Sequence, residues 1–439
     1  MRWGTPLLFG SAALAACGLT VTGPAPLPSG PPVDGGEVPP AHLPEGGGDD
    51  ASDGASADGE GGACPALPAN ILEGFVPTRT FHVSVTGDDG DPGDAAKPWR
   101  TISVAAGKLK PGDKLEVHAG GYGCNAISNV KGTAGAPIWL HSADGALAAT
   151  ISCGTLSSAA LEVSGSAYLA IDGFNIGNNF DDGVHLSGSD HVLLIRDKCS
   201  AGNNDAAGVH YNANTGLNTI EDCEVTSGSN HGIEVTGDLA VRIVKNHVHD
   251  SGLHGIEVSS TQNVDLFANR VEKVSQGLSF YSPLPNVVAV NNFVSSGGIS
   301  IQVSGAPSDK LSFANNTFVM TNTPKGVYST GAPAVRLVNN VFDFEGAQPS
   351  LVLQADGPIV QSNNLFYATG TANIAATASM PPITGNGNVL DKAPQFVNLG
   401  AGDVHPKAGS PLIGAGTPAP EAARDPDGNC RTTFDIGAY

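Results

Sequence analysis

The chain has 439 residues, 58 of them glycine, with 6% aromatic and 14% charged side chains and a formal net charge of −21 at pH 7. This composition suits a β-rich chain with many tight turns rather than a helical bundle, and the acidic balance excludes nucleic acid, which demands basic patches. It also gives no long-range attraction for an anionic polysaccharide, so such a substrate would need a local cation or a neutralised site.

At the N-terminus, Arg2 precedes an apolar run from Pro6 to Ala16 that is too short to hold a bilayer as a stable span. The run closes on Leu14-Ala15-Ala16-Cys17, which resembles a bacterial lipoprotein signal with its lipobox. The resemblance implies a signal over residues 1–17, lipidation of Cys17, and export to the outer membrane or cell surface with the lipid as the only membrane contact. Residues 18–70 are dominated by Pro, Gly, Ala, Asp and Ser. They bury too little apolar surface to offset their ordering entropy and are expected to form a flexible tether. After Cys17 come Cys64, Cys124, Cys153, Cys199, Cys223 and Cys430. An even number in an exported chain permits disulfides, whose connectivity the sequence leaves open. Cys199 and Cys223, one period apart, read equally well as stacked neighbours or as core-filling thiols.

Residues 71–385 are expected to form one solenoid. Phe81-His82-Val83-Ser84-Val85 alternates like a strand, a turn-rich loop follows over Thr86–Gly93, and Thr101–Ala106 fits a short helix before Leu115 and Val117 open the first coil. The run through Gly87, Pro92-Gly93, Pro98, Thr101-Ile102, Pro111-Gly112-Asp113 and Gly120-Gly121-Tyr122 resembles the opening segment of bacterial right-handed parallel β-helix proteins of the pectate-lyase-like group. In that group a short helix caps the first coil, whose edge and core would otherwise lie open.

Asn246, Asn269, Asn292, Asn316, Asn340 and Asn364 recur every 23 or 24 residues, each followed two residues later by an apolar side chain. A period of that length marks a solenoid, and β-branched flanks make each repeat a coil of strands. About eleven coils are expected between Leu115 and Phe366. Stacking places the asparagines in one ladder, continued backwards by Cys223, Asp197 and Phe174. Outward places beside it read Arg196, Asp222, Lys245 and Lys198, Glu224, His247, Arg270. With coils about 4.8 Å apart, these files are expected to form salt-bridge ladders. Arg196 and Lys198 are also candidate substrate contacts.

A second strand in each coil begins at a glycine: Asp182-Gly183-Val184-His185-Leu186, Ala207-Gly208-Val209-His210-Tyr211, His231-Gly232-Ile233-Glu234-Val235, His254-Gly255-Ile256-Glu257-Val258 and Gln276-Gly277-Leu278-Ser279-Phe280. Alternation turns the aliphatic residues inward, so His185, His210, Glu234, Glu257 and Ser279 should share one outward file, with Asp182, His231 and His254 at the turn beside it. Imidazoles next to carboxylates suit proton transfer near neutral pH. The same set suits a divalent cation, with imidazole favouring zinc-like ions and carboxylate favouring calcium. It is equally what an ordinary polar sheet face would carry.

Residues 386–439, with Pro394-Gln395-Phe396-Val397, Gly409-Ser410-Pro411 and Asp425-Pro426-Asp427-Gly428, are similar to the closing segment of bacterial surface β-helix proteins. In pectate lyases of this fold a lysine or arginine removes the proton α to a uronate carboxyl, helped by calcium on an aspartate cluster. Here Asp181, Asp182 and Asp205 would supply the acid, with Asp181 and Asp182 as cation ligands and Asp205 as a substrate contact. The glycine-led strands carry no lysine. The resemblance then implies a histidine base, His185 or His210, with Glu234 or Glu257 holding it or binding the cation and Tyr211 as proton donor. The expectation is a monomeric polysaccharide lyase or epimerase acting on uronate-containing glycan. The alternatives are a non-catalytic glycan-binding or adhesive protein, and a polygalacturonase-like hydrolase, to which Asp181-Asp182-Gly183, Asp205 and His231-Gly232 bear a loose similarity.

Overall fold

The computed structural model describes residues 64, 67–153, 159–178, 181–202, 206–281, 286–305, 310–322, 325–331, 334–345, 352–368, 375–376 and 386–439. Cys17 and Asp205 lie outside them.

Each coil contributes three strands, as in Lys198–Ala201, Ala207–Asn212 and Leu217–Glu221. Strands of the last kind stack in parallel into a twelve-stranded sheet running from Arg79–Val83 to Ile359–Ser362. The short strands and the glycine-led strands form two further parallel ladders within one bent sheet, and Arg270–Tyr281 and Phe293–Ser304 pass through both without a break. The protein is a right-handed parallel β-helix.

The corner between the twelve-stranded sheet and the short strands explains the period. Arg196, Asp222, Lys245, Ala268, Asn291, Asn315, Asn339 and Asn363 all have φ between 51° and 58°, a left-handed turn that costs a side-chain-bearing residue roughly 1–2 kcal/mol. The next residue in each coil offsets that cost. Asn246, Asn269, Asn292, Asn316 and Asn340 each donate from Nδ2 to Oδ1 of the asparagine one coil on, at 2.9–3.0 Å. Each also donates to a carbonyl of the preceding coil, Ile220 for Asn246 and Ile243 for Asn269. Asn388 adds a further rung beyond Asn364. Two residues past the ladder, Ile176, Cys199, Val225, Val248, Val271, Val294, Phe318, Phe342 and Phe366 form a fully buried file. Each large apolar member contributes about 1.5–3 kcal/mol by leaving water.

Both ends are closed. The helix Ile102–Ala106 buries Ile102, Ala105 and Ala106, as the opening segment predicted. At the other end the left-handed asparagines serve as docking points: Asn291, Asn315, Asn339 and Asn363 donate to the Arg424, Asp435, Thr417 and Ala415 carbonyls of the closing segment. A Cys64–Cys430 disulfide joins the two ends of the described chain, and Cys124–Cys153 staples the first coils. Cys199 and Cys223 are free and buried. They are not stacked neighbours, because Cys199 pairs with Val225 while Cys223 occupies the asparagine position. The last residues of the stretch read as a tether, and the two that follow it, pack on the coils: Arg242 donates to the Pro68 carbonyl, Asn70 donates to Glu221, and Ile71 and Leu72 lie against Ala170, Leu193 and Ile195.

Candidate functional site

The glycine at the start of each of the five glycine-led strands sits where the bent sheet folds tightly. A Cβ on Gly232 would lie 2.3 Å from Val248 Cγ1, on Gly255 2.2 Å from Val271 Cγ1, and on Gly277 2.3 Å from Val294 Cγ1. Glycine is required there for close approach. The fold brings the residue before the glycine against the outward residue two places after it, so His254 meets Glu257 within one strand.

Along the outward direction the expected file exists. His185 pairs with His210, His210 with Glu234, Glu234 with Glu257 and Glu257 with Ser279. It extends further than the glycine pattern shows, back to Glu162 and on through Gln302, Tyr328 and Gln354. The glycine pattern does not mark Glu162, whose strand opens on alanine, nor Gln302, whose strand carries Ser300 in the glycine's place.

Asp182 and His210 are the centre of this face. Asp182 is buried and accepts from Ala207 N at 2.8 Å through Oδ1 and from His210 Nδ1 at 3.0 Å through Oδ2. Burial works to lower the His210 pKa, but the hydrogen bond and charge of Asp182, with the charges of Glu234 and Asp238, raise it above its ordinary value. Nδ1 held on a carboxylate fixes the tautomer and leaves Nε2 as the proton-exchanging atom. His185 stacks on His210 with centroids 4.9 Å apart and planes 7° from parallel. His185 is in register with Glu162 on the preceding coil, and its buried Nε2 has no partner among the described residues. Of the two candidate bases, His210 is the one the fold equips. Beneath them Asp238 is pushed up to about 6 by burial, against hydrogen bonds from Asn214.

His231 and His254 form a second cluster. Their rings lie 4.9 Å apart, and His231 Nδ1, His254 Nδ1 and a Glu257 carboxylate oxygen all fall within 4.8 Å of one another. Burial would raise the Glu257 pKa, but hydrogen bonds from both histidines outweigh it and hold it at about 2. Gln276 and Tyr281, reaching His254 Nε2 at 3.0 and 3.4 Å, complete the cluster. Neither had been assigned a role, although Gln276-Gly277 continues the glycine pattern.

Several expectations are corrected. Tyr211 is no proton donor: the alternation that turns His210 outward turns Tyr211 into the core, where it is fully buried, donates to the Thr219 carbonyl and has its pKa pushed well up by desolvation. Asp182 is the partner of His210 rather than a cation ligand, and Asp181 accepts from the Asp182 backbone N–H. Arg196 clamps buried Asp172 of the preceding coil through Nε and Nη2, at 3.0 and 2.6 Å, instead of pairing with Asp222. That carboxylate, 1% exposed, needs a fork of donors to offset its desolvation. Lys198 bonds Glu224 at 2.8 Å, as its salt-bridge ladder predicted. With these partners, Arg196 and Lys198 are structural cations and not free substrate contacts.

A family model described as a right-handed β-helix region matches residues 123–240 and 159–318. No curated protein matches the sequence. Among solved structures, pectate lyase Pel9A is similar with a TM-score of 0.59 at 16% identity, covering 84% of this chain and 98% of that one. A lacto-N-biosidase from Eubacterium ramulus gives 0.48 at 14% identity over 66% of this chain and 68% of its own, and an alginate lyase from Paenibacillus gives 0.42 at 16% over 70% and 100%. The likeness to Pel9A agrees with the ladders in showing a right-handed parallel β-helix.

Proposed function

We propose that the protein acts on a uronate-containing polysaccharide, as a β-eliminating lyase or an epimerase, with His210 as the base. The observation that carries the reading is the Asp182–His210 hydrogen bond at 3.0 Å on an outward polar file. A pectate lyase shares the fold, which supports a uronate polymer as substrate. His210 Nε2 removes the proton α to the uronate carboxyl. The electron pair then expels the glycosidic oxygen, which takes a proton from the His210 imidazolium or water and leaves an unsaturated sugar, or the carbanion takes a proton from water on the opposite ring face while the imidazolium returns its own to solvent. Asp182 holds the ring and stabilises the imidazolium that forms. Export with a lipid on Cys17 belongs to the same reading, and the two disulfides support it, since such bonds persist in oxidising compartments.

The test is a panel of polyuronates, read by ultraviolet absorbance for the unsaturated product and by NMR for inverted uronates. His210→Ala should lower turnover by about 10²–10⁴-fold, the range for a lost general base. Binding without turnover on every polyuronate would favour the non-catalytic reading, and reducing ends formed without unsaturation would favour hydrolysis. Fatty-acid labelling abolished by Cys17→Ser tests the anchor.

A further inference from the structure

The cluster beside the proposed base has a proton inventory that does not balance easily. His231 Nδ1 and His254 Nδ1 lie 3.1 Å apart, His231 Nδ1 is 3.2 Å from Glu257 Oε2, and His254 Nδ1 contacts the same oxygen. Gln276 Oε1 lies 3.0 Å from His254 Nε2 and accepts from it when that nitrogen carries the ring hydrogen. A neutral His254 then turns the bare lone pair of Nδ1 on a carboxylate oxygen. In that tautomer protons alone satisfy the trio only with a second proton on His254 and two N–H groups on one oxygen. The side chains are just 11%, 6% and 15% exposed for His231, His254 and Glu257, where charge separation without full pairing is costly.

A cation among the three atoms removes the conflict. Nitrogen and oxygen donors sit roughly 2.0–2.1 Å from a zinc-like ion, which places them about 3 Å from one another around it. The 3.1 and 3.2 Å separations lie close to that spacing, while His254 Nδ1 and Glu257 Oε2 stand closer together and would spread to admit the ion. Each histidine would bind through a lone pair with no proton needed. Gln276 would hold the far nitrogen of His254 as outer-shell acceptors do for metal-bound imidazoles. Two imidazoles with one carboxylate select a borderline transition ion over calcium, and three protein donors leave a position open to water or an anionic oxygen. The glycine fold at Gly255 builds the site, because it lets donors three residues apart converge.

We propose that His231, His254 and Glu257 bind one divalent transition ion of the zinc class. The site is separate from the Asp182–His210 pair and does not depend on the substrate reading.

The experiment is a titration of the full chain, stripped with EDTA, with Co²⁺ followed by visible absorption and then displacement by Zn²⁺. One Co²⁺ per chain, displaced by Zn²⁺, is expected. His254→Ala and Glu257→Gln should abolish stoichiometric binding, Gln276→Leu should weaken it about 10–100-fold, and His185→Ala and His247→Ala should leave it intact. Circular dichroism of each variant separates loss of the site from loss of the fold. Absence of stoichiometric binding in the parent chain overturns the proposal without reference to any variant. Binding that survives His254→Ala and Glu257→Gln, or is lost in His185→Ala or His247→Ala with the fold intact, overturns it as well.

Discussion

His210 Nδ1 bonds to Asp182 Oδ2 at 3.0 Å although the two residues are 28 positions apart, because Asp182 opens the strand one coil before that of His210. The coil repeat converts sequence distance into a held dyad.

That dyad sets a pH profile. In the proposed reaction the histidine acts as base only when neutral, and its pKa is raised, so the rate should climb with pH through a limb above 6.5. Asp182→Asn removes the charge that raises it. The limb should move toward acid while the plateau falls, since the tautomer is no longer fixed. The stability linkage runs the same way: a histidine with a raised folded pKa adds stability that is complete below its unfolded pKa and lost as pH rises through the folded one. The Tm of the parent, relative to Asp182→Asn, should therefore decline from pH 6 to 8. A limb that stays in place in the variant would dissociate Asp182 from His210.

Asp197 holds an asparagine's place in the ladder, and the structure shows the cost. It is buried, its Oδ1 accepts from Phe174 N at 2.7 Å, and its Oδ2 has no partner among the described residues. Burial pushes its pKa well up. By register, Ile171 presents its carbonyl where Ile220 receives the amide of Asn246. Asp197→Asn should stabilise the protein by about 1–3 kcal/mol at neutral pH, the cost of a buried unsatisfied group. The folded state holds a proton the unfolded chain releases, so wild-type stability falls as pH rises above the ordinary carboxylate range. Thermal melts at pH 4 and pH 8 should show the larger gain from Asp197→Asn at the higher pH.

Gly255→Ala places a methyl group 2.2 Å from Val271 Cγ1 and 2.9 Å from the Gly277 carbonyl. Overpacking of this kind costs about 1–3 kcal/mol, and Co²⁺ binding should weaken with it. Val271→Ala makes room on one side, so the double variant should melt at a higher temperature than the sum of the two single effects. Additivity would mean the valine contact is not what demands glycine.

The Cys64–Cys430 bond spans 366 residues. Replacing both cysteines by serine should lower stability by roughly 2–4 kcal/mol and expose the closing segment to protease first. Its docking would then rest on Asn291, Asn315, Asn339 and Asn363 and on the apolar contacts of Phe396, Leu412 and Ile436. Equal proteolysis rates with and without reductant would contradict this.

The ladder and the outward file were legible because each depends on one periodic position: an asparagine after a left-handed residue, and a polar residue two places after a glycine. The pairing of Asp182 with His210 and the meeting of His254 with Glu257 were not, because both depend on how sharply the sheet folds at Gly183, Gly208, Gly232 and Gly255. Period alone says which residues stack, not which side chains bend across to a neighbouring file. Tyr211 was misread by giving chemistry priority over the alternation that already placed Val184 and Leu186 inside. The partner of Arg196 was missed because only the ladder neighbour was considered, whereas the buried carboxylate of Asp172 has the greater need of a fork.

Five residues join Lys198–Ala201 to the following long strand, three join Glu224–Ser227 to His231–Thr236, four join His247–His249 to His254–Ser259, and none interrupt Arg270–Tyr281. Register on both sides is nevertheless kept. Connector length is thus uncoupled from the geometry of the polar face. Evolution, or a designer, can lengthen, shorten or graft these bridges to resculpt what approaches that face while the strand register is kept.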